Sequence, residues 1–114
     1  MPKRNDFLLL EDILESITKI ELYTKDLVFE DFYFDDKTKD AVIRNFEIIG
    51  EAVNSLSVSF TLKFDGIEWR KIAAFRNRLI HEYFGVNYEA VWLVIKNNLQ
   101  ELKTYILSIN NLDD

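Results

Sequence analysis

One stretch of this chain, Arg76-Asn77-Arg78-Leu79-Ile80-His81-Glu82-Tyr83, holds the residue types best suited to reaction chemistry. It contains the only histidine among 114 residues, just ahead of Gly85. Arg70, Lys71, Arg76 and Arg78 fall between Trp69 and His81 with no acid among them, in a chain whose formal net charge is -6. Imidazole exchanges protons near neutral pH, and guanidinium holds an oxyanion. A lone histidine beside a local cationic strip therefore suits phosphate chemistry.

Such a strip acts only if a scaffold presents it. The chain has three glycines, one proline (Pro2) and no cysteine. So few breakers point to helices. The absence of thiols excludes disulfides and thiolate metal sites and fits a reducing cytoplasm. Hydrophobic residues make up 48% of the chain, ample for a core and inconsistent with disorder. The apolar run Phe7 to Leu10 is cut short by Glu11 and Asp12, so neither a leader nor a membrane anchor is expected. Net acidity argues against indiscriminate polyanion binding. Nine Phe, five Tyr and two Trp are many for one small bundle to hide, which suggests that some close a subunit interface.

Apolar periodicity predicts four main helices in one domain spanning 1–114, an all-α antiparallel up-and-down bundle. The first runs from about Asp6 to about Val28, with a stripe of Leu9, Ile13, Ile17, Ile20 and Leu27. A loop rich in Asp and aromatic residues is expected from Glu30 to Asp36. The second helix starts after Asp35 or Asp36 and carries Val42, Phe46, Ile49, Val53 and Leu56. Gly50 inside it costs about 1 kcal/mol relative to Ala, which points to a close approach by another helix. Ser55 to Asp65 reads as a linker. Asp65 and Glu68 form a capping-box-like start for the third helix, with Trp69, Ile72, Phe75 and Leu79 on its stripe, Ile80 at its edge, and Gly85 as its stop. Asn87 caps a fourth helix reaching the tail through Val91, Val94, Ile95, Leu99, Leu102, Ile106 and Ile109.

On the third helix, with Arg76 at zero, Phe75, Leu79 and Ile72 fall near about 260°, 300° and 320° at 100° per residue. His81 lies near about 140° and Asn77 near about 100°, so the imidazole points away from the apolar stripe. Asn77 and His81 form an i, i+4 pair, which places the amide to hydrogen-bond the ring or to touch the same ligand. To share a phosphate with them, Arg76 must reach around, or the last turn must loosen ahead of Gly85, or a partner chain across a two-fold axis must gather the groups. Metal-free scission of RNA needs a base for the 2′-hydroxyl, an acid for the departing 5′-oxygen and a cation for the transition state. One histidine cannot fill both proton-transfer roles, whereas two chains related by symmetry supply two. Taken by itself the strip is better read as a solvated helix end with a dipole-favoured imidazole, and the plainer reading of Tyr83 is a ring packed with its hydroxyl wet. The acidic loop from Asp31 to Asp36 matches no metal-loop spacing and reads as a solvated turn.

Arg76-Asn77 followed by His81-Glu82-Tyr83 resembles the R-x4-6-H-x-Y signature of HepT-like toxins of the HEPN superfamily. Ile48-Ile49-Gly50-Glu51-Ala52, Trp69-Arg70-Lys71-Ile72 and Val91-Trp92 fall in that family's order, so the resemblance spans about Asp40 to Leu102. It implies a HEPN-like helical homodimer with the signature lining an interface cleft. It also implies a cytoplasmic, metal-independent endoribonuclease toxin without cofactor, acting on RNA. Its implied partner is an MNT-type nucleotidyltransferase antitoxin that silences it by transferring AMP onto the signature tyrosine. Carried over, Arg76 and His81 are catalytic, Asn77 is the supporting polar residue and Tyr83 is the AMPylated hydroxyl. The alternative is a non-catalytic HEPN module that docks a nucleotidyltransferase as its substrate or regulatory subunit.

Overall fold

The computed structural model describes residues 5–81 and 85–112, with side chains as far as 109. Among the described residues all regular structure is helical: α1 (Asp6–Thr24), α2 (Phe29–Tyr33), α3 (Asp36–Ser55), α4 (Val58–Lys63), α5 (Trp69–His81), α6 (Tyr88–Asn97) and α7 (Leu99–Leu112). The four expected main helices correspond to α1, α3, α5 and the α6–α7 pair.

The stripe of α1 buries Leu10, Ile13, Ile17 and Ile20 completely, each stabilising the fold by about 1.5–3 kcal/mol relative to an exposed side chain. Asn5 begins this helix by accepting the Leu8 N–H at 2.9 Å. It ends at Thr24, short of the expected Val28, because Asp26 takes a left-handed φ of 62° and turns the chain. The turn delivers α2, which occupies the segment read as a loop. Phe32 is wholly buried there, against the Trp92 and Tyr88 rings at 5.2 and 6.2 Å.

Asp35 caps α3 by accepting the Thr38 N–H at 3.1 Å and hydroxyl at 2.7 Å. The hydroxyl bond is the main reason its carboxyl lies below the ordinary carboxylate range, with the backbone bond next. The stretch read as a linker contains α4. Ser57 caps it and also donates its N–H and hydroxyl to the Asp6 carboxylate at 2.9 and 2.7 Å. This clasp joins the start of α1 to the end of α3, so the two helices run antiparallel. Asp6→Ala leaves both Ser57 donors without that acceptor. The expected cost is about 1–3 kcal/mol, read as a lower urea midpoint at unchanged m-value.

The third main helix starts at Trp69, four residues beyond Asp65, so Asp65 does not cap it. The intervening turn is held by the Gly66 N–H donating to the Tyr105 hydroxyl at 3.0 Å and the Trp69 indole N–H donating to the Phe64 carbonyl at 2.7 Å. Asn87 caps α6 as expected, accepting the Ala90 N–H at 3.1 Å. The last expected helix is divided at Asn98 into α6 and α7. The break lets α6 pack on α2 while α7 packs on α1, where Lys103 meets Glu21 at 2.8 Å.

Candidate functional site

The site rests on how α5 sits against α3. Trp69 and Leu79 are the buried residues of α5. On a helical wheel they bracket Arg76 at about 20° and 300°, so Arg76 projects toward the bundle. Its stem meets α3 at Gly50. A Cβ built on Gly50 would lie 2.0 Å from Arg76 Cβ and 2.3 Å from Cγ. The first methylenes of the arginine thus lie across bare backbone. Beside this crossing, Phe46 and Phe75 meet edge-on with centroids 5.3 Å apart.

Buried stem and charged head differ in environment. Arg76 Nε is buried and has no hydrogen-bond partner among the described residues. Nη1 donates to Asn77 Oδ1 at 3.1 Å. The guanidinium therefore turns from the α3 side of the helix toward Asn77, which is exposed. His81 ends α5 and is also exposed. No hydrogen bond or ion pair to its ring is made among the described residues, and none joins it to Asn77. The structure brings Arg76 and Asn77 together and leaves His81 one turn further along the Asn77 face. Tyr83 and Glu82 lie outside the described residues.

The cations of α5 are not equivalent. Lys71 pairs with Glu68 at 2.6 Å, and that hydrogen bond raises its pKa above the ordinary lysine value. Arg70, Arg76 and Arg78 make no ion pair among the described residues, which leaves their charge available to a phosphate. An open apolar groove of about 610 Å³ runs between α5 and the α6–α7 junction, walled by Phe46, Ile72, Phe75, Val94, Leu99 and Leu102, with Arg78 and Lys71 also lining it. Arg76, Asn77 and His81 do not line it. Those three side chains lie instead on the neighbouring face of α5. Among the described residues no group of three or more His, Asp or Glu side chains is placed to hold a metal ion. No helix among them is long and apolar enough to cross a membrane.

Gly50 is legible in the sequence as a close-approach glycine. Its particular partner is not, because nothing local says which side chain of α5 will cross it.

A family model described as ribonuclease HepT-like matches residues 13–109. The chain is 40% identical over its whole length to the protein named "Putative RNase MJ0127" of Methanocaldococcus jannaschii, covering 98% of that protein. It is 46% identical, over 82% of its own length and 86% of the relative's, to the "Probable ribonuclease HepT" of Thermococcus cleftensis. No solved structure gives a significant match.

Proposed function

The chain belongs to the HepT-like ribonuclease family, and on that footing we propose that it is a metal-independent endoribonuclease toxin whose chemistry lies on the outward face of α5. The observation that carries the reading is the path of Arg76. Its stem is anchored on Gly50, and its guanidinium is delivered to Asn77, on the face that ends in the exposed His81. A phosphate placed there meets a fixed cation and an imidazole whose two nitrogens are unengaged among the described residues.

In the proposed reaction the RNA 2′-oxygen attacks the adjacent phosphorus while an imidazole takes its proton, and the P–O5′ bond breaks as a second imidazole supplies a proton to the departing oxygen. Arg76 holds the charge that builds on the phosphoryl oxygens. The products are a 2′,3′-cyclic phosphate and a 5′-hydroxyl. Because each chain has one histidine, a second copy contributes the second imidazole across a shared cleft. The net charge of -6 makes this approach local: RNA meets Arg70, Arg76 and Arg78, not a generally basic surface. The partner that silences the toxin is an MNT-type nucleotidyltransferase, and the acceptor of AMP is Tyr83. An added adenylyl group brings bulk and negative charge to a phosphate-binding face and so repels RNA. The setting is the cytoplasm.

Purified protein is expected to cleave single-stranded RNA equally with and without EDTA, leaving cyclic-phosphate ends. Loss of all cleavage in EDTA, restored by a divalent ion, would reject the metal-free mechanism.

A second reading is favoured by one observation. A general base is ordinarily oriented by a neighbouring group, whereas Asn77 Oδ1 is engaged with Arg76 and no described residue holds the ring of His81. On that reading the bundle is a non-catalytic module that docks the nucleotidyltransferase. Expression without the antitoxin separates the two: growth arrest belongs to the ribonuclease, and unimpeded growth belongs to the module.

A further inference from the structure

We propose that Gly50 is a positioning residue for Arg76, so that the absence of a side chain on α3 sets the direction in which the guanidinium leaves the bundle. The inference rests on the ribonuclease reading above and extends it to a residue on a different helix. A hypothetical Gly50 Cβ overlaps Arg76 Cβ and Cγ at 2.0 and 2.3 Å and lies 3.2 Å from Cδ. These are the atoms nearest the α5 backbone, so rotating the far end of a flexible side chain cannot relieve the overlap. Arg76 Cβ is fixed by the α5 backbone, so no rotamer removes its overlap, and α5 must move away from α3, carrying the arginine stem with it.

The rest of the arginine fits this role. With three methylenes against bare backbone, Nε lies buried with no hydrogen-bond partner among the described residues, and only the terminal nitrogens project, one of them donating to Asn77 Oδ1. A freely mobile arginine would carry Nε into water, where its N–H is solvated. Holding it buried and unpaired requires the stem to be constrained from both sides, by α5 at its root and by α3 at Gly50. The conformational freedom of a long cation is thereby removed before substrate arrives, which is how a preorganised donor stabilises developing charge without reorganising. A glycine in mid-helix is otherwise unfavourable, and this contact is the return on it.

Gly50→Ala tests the idea, with His81→Ala as the control on the underlying reading. Assays are run well below the melting temperature of each variant, with circular dichroism showing it folded. The expected result is a fall in kcat of roughly 100-fold with a smaller change in KM, as for loss of a transition-state donor. A folded Gly50→Ala protein with wild-type kcat overturns the proposal. Should His81→Ala cleave like the wild type, the ribonuclease assignment fails instead, whatever Gly50→Ala does.

A second measurement does not depend on activity or on the alanine variant folding. In ¹H–¹⁵N spectra of the wild type, one arginine Nε–H cross-peak should persist at a pH where solvent-exposed arginine signals are lost to exchange, and it should disappear in Arg76→Lys. Absence of such a protected signal overturns the constrained stem and the proposal with it. In the Gly50→Ala/Arg76→Gly double variant, which removes both overlapping groups, the melting temperature should rise above that of Gly50→Ala alone. No recovery there overturns the assignment of the clash to Arg76.

Discussion

His81→Ala is expected to lower RNA cleavage by roughly 100- to 10,000-fold, the range contributed by positioned proton transfer, with no measurable loss of folded protein. The two halves of this result have separate physical causes. The ring is exposed and makes no hydrogen bond to any described residue, so its removal costs the native state little, within about 0.5 kcal/mol as for other surface substitutions. The proposed reaction, by contrast, loses its proton-transfer group, and no other histidine exists to replace it. If the active unit is a pair of chains, both proton-transfer positions vanish at once, and mixing with an Arg76→Ala protein restores no cleavage, because a mixed dimer still holds a single imidazole. The measurements are a single-turnover cleavage assay, a thermal melt and the mass of the particle in solution. Cleavage at the wild-type rate removes the imidazole from the mechanism. Loss of cleavage together with a large fall in melting temperature would show that His81 supports the fold instead.

Phe32→Ala is expected to produce the largest loss of stability, about 3–5 kcal/mol, as for other fully buried aromatic residues. The five residues of α2 are too few to form a helix unaided. The segment is held by what it buries: Phe32 is completely enclosed, its ring tilted against Trp92 at 5.2 Å, and Phe29 meets the same indole at 6.2 Å. Truncation leaves a cavity beneath Trp92 and frees α2 from α6. Urea unfolding followed by tryptophan fluorescence should show a lower midpoint and an altered native baseline. Phe34→Ala, two residues on and 81% exposed, is the control and should fall within about 0.5 kcal/mol of the wild type. Equal effects of the two substitutions would mean that α2 is not anchored through Phe32.

The two sites differ in how far they could be foreseen. The stripes of α1 and α3 were readable because a long amphipathic helix repeats its signal over several turns, and the caps Asp35 and Asn87 were readable because their side chains bond within three residues. Neither α2 nor α4 repeats any pattern. Phe32 and Phe60 are single anchors whose burial depends on residues far along the chain. The division at Asn98 is of the same kind: local periodicity runs through it, and the bend appears only because α6 and α7 have different neighbours. Asp65 shows the converse, a residue with the local chemistry of a cap whose turn is governed instead by Tyr105 and Trp69.

Sequence by itself determined the helical class, the outward direction of His81 and the presence of a cationic strip on one helix, because these follow from composition and from the angle between neighbours on a single element. Only tertiary structure decided which way Arg76 turns. Its place on the wheel put it beside the buried stripe and away from the histidine. The bare backbone of Gly50, 26 positions earlier in the chain, takes up its stem and releases its charge beside Asn77. Contacts between helices are set by the packing of whole faces, and no local pattern encodes which two residues will cross.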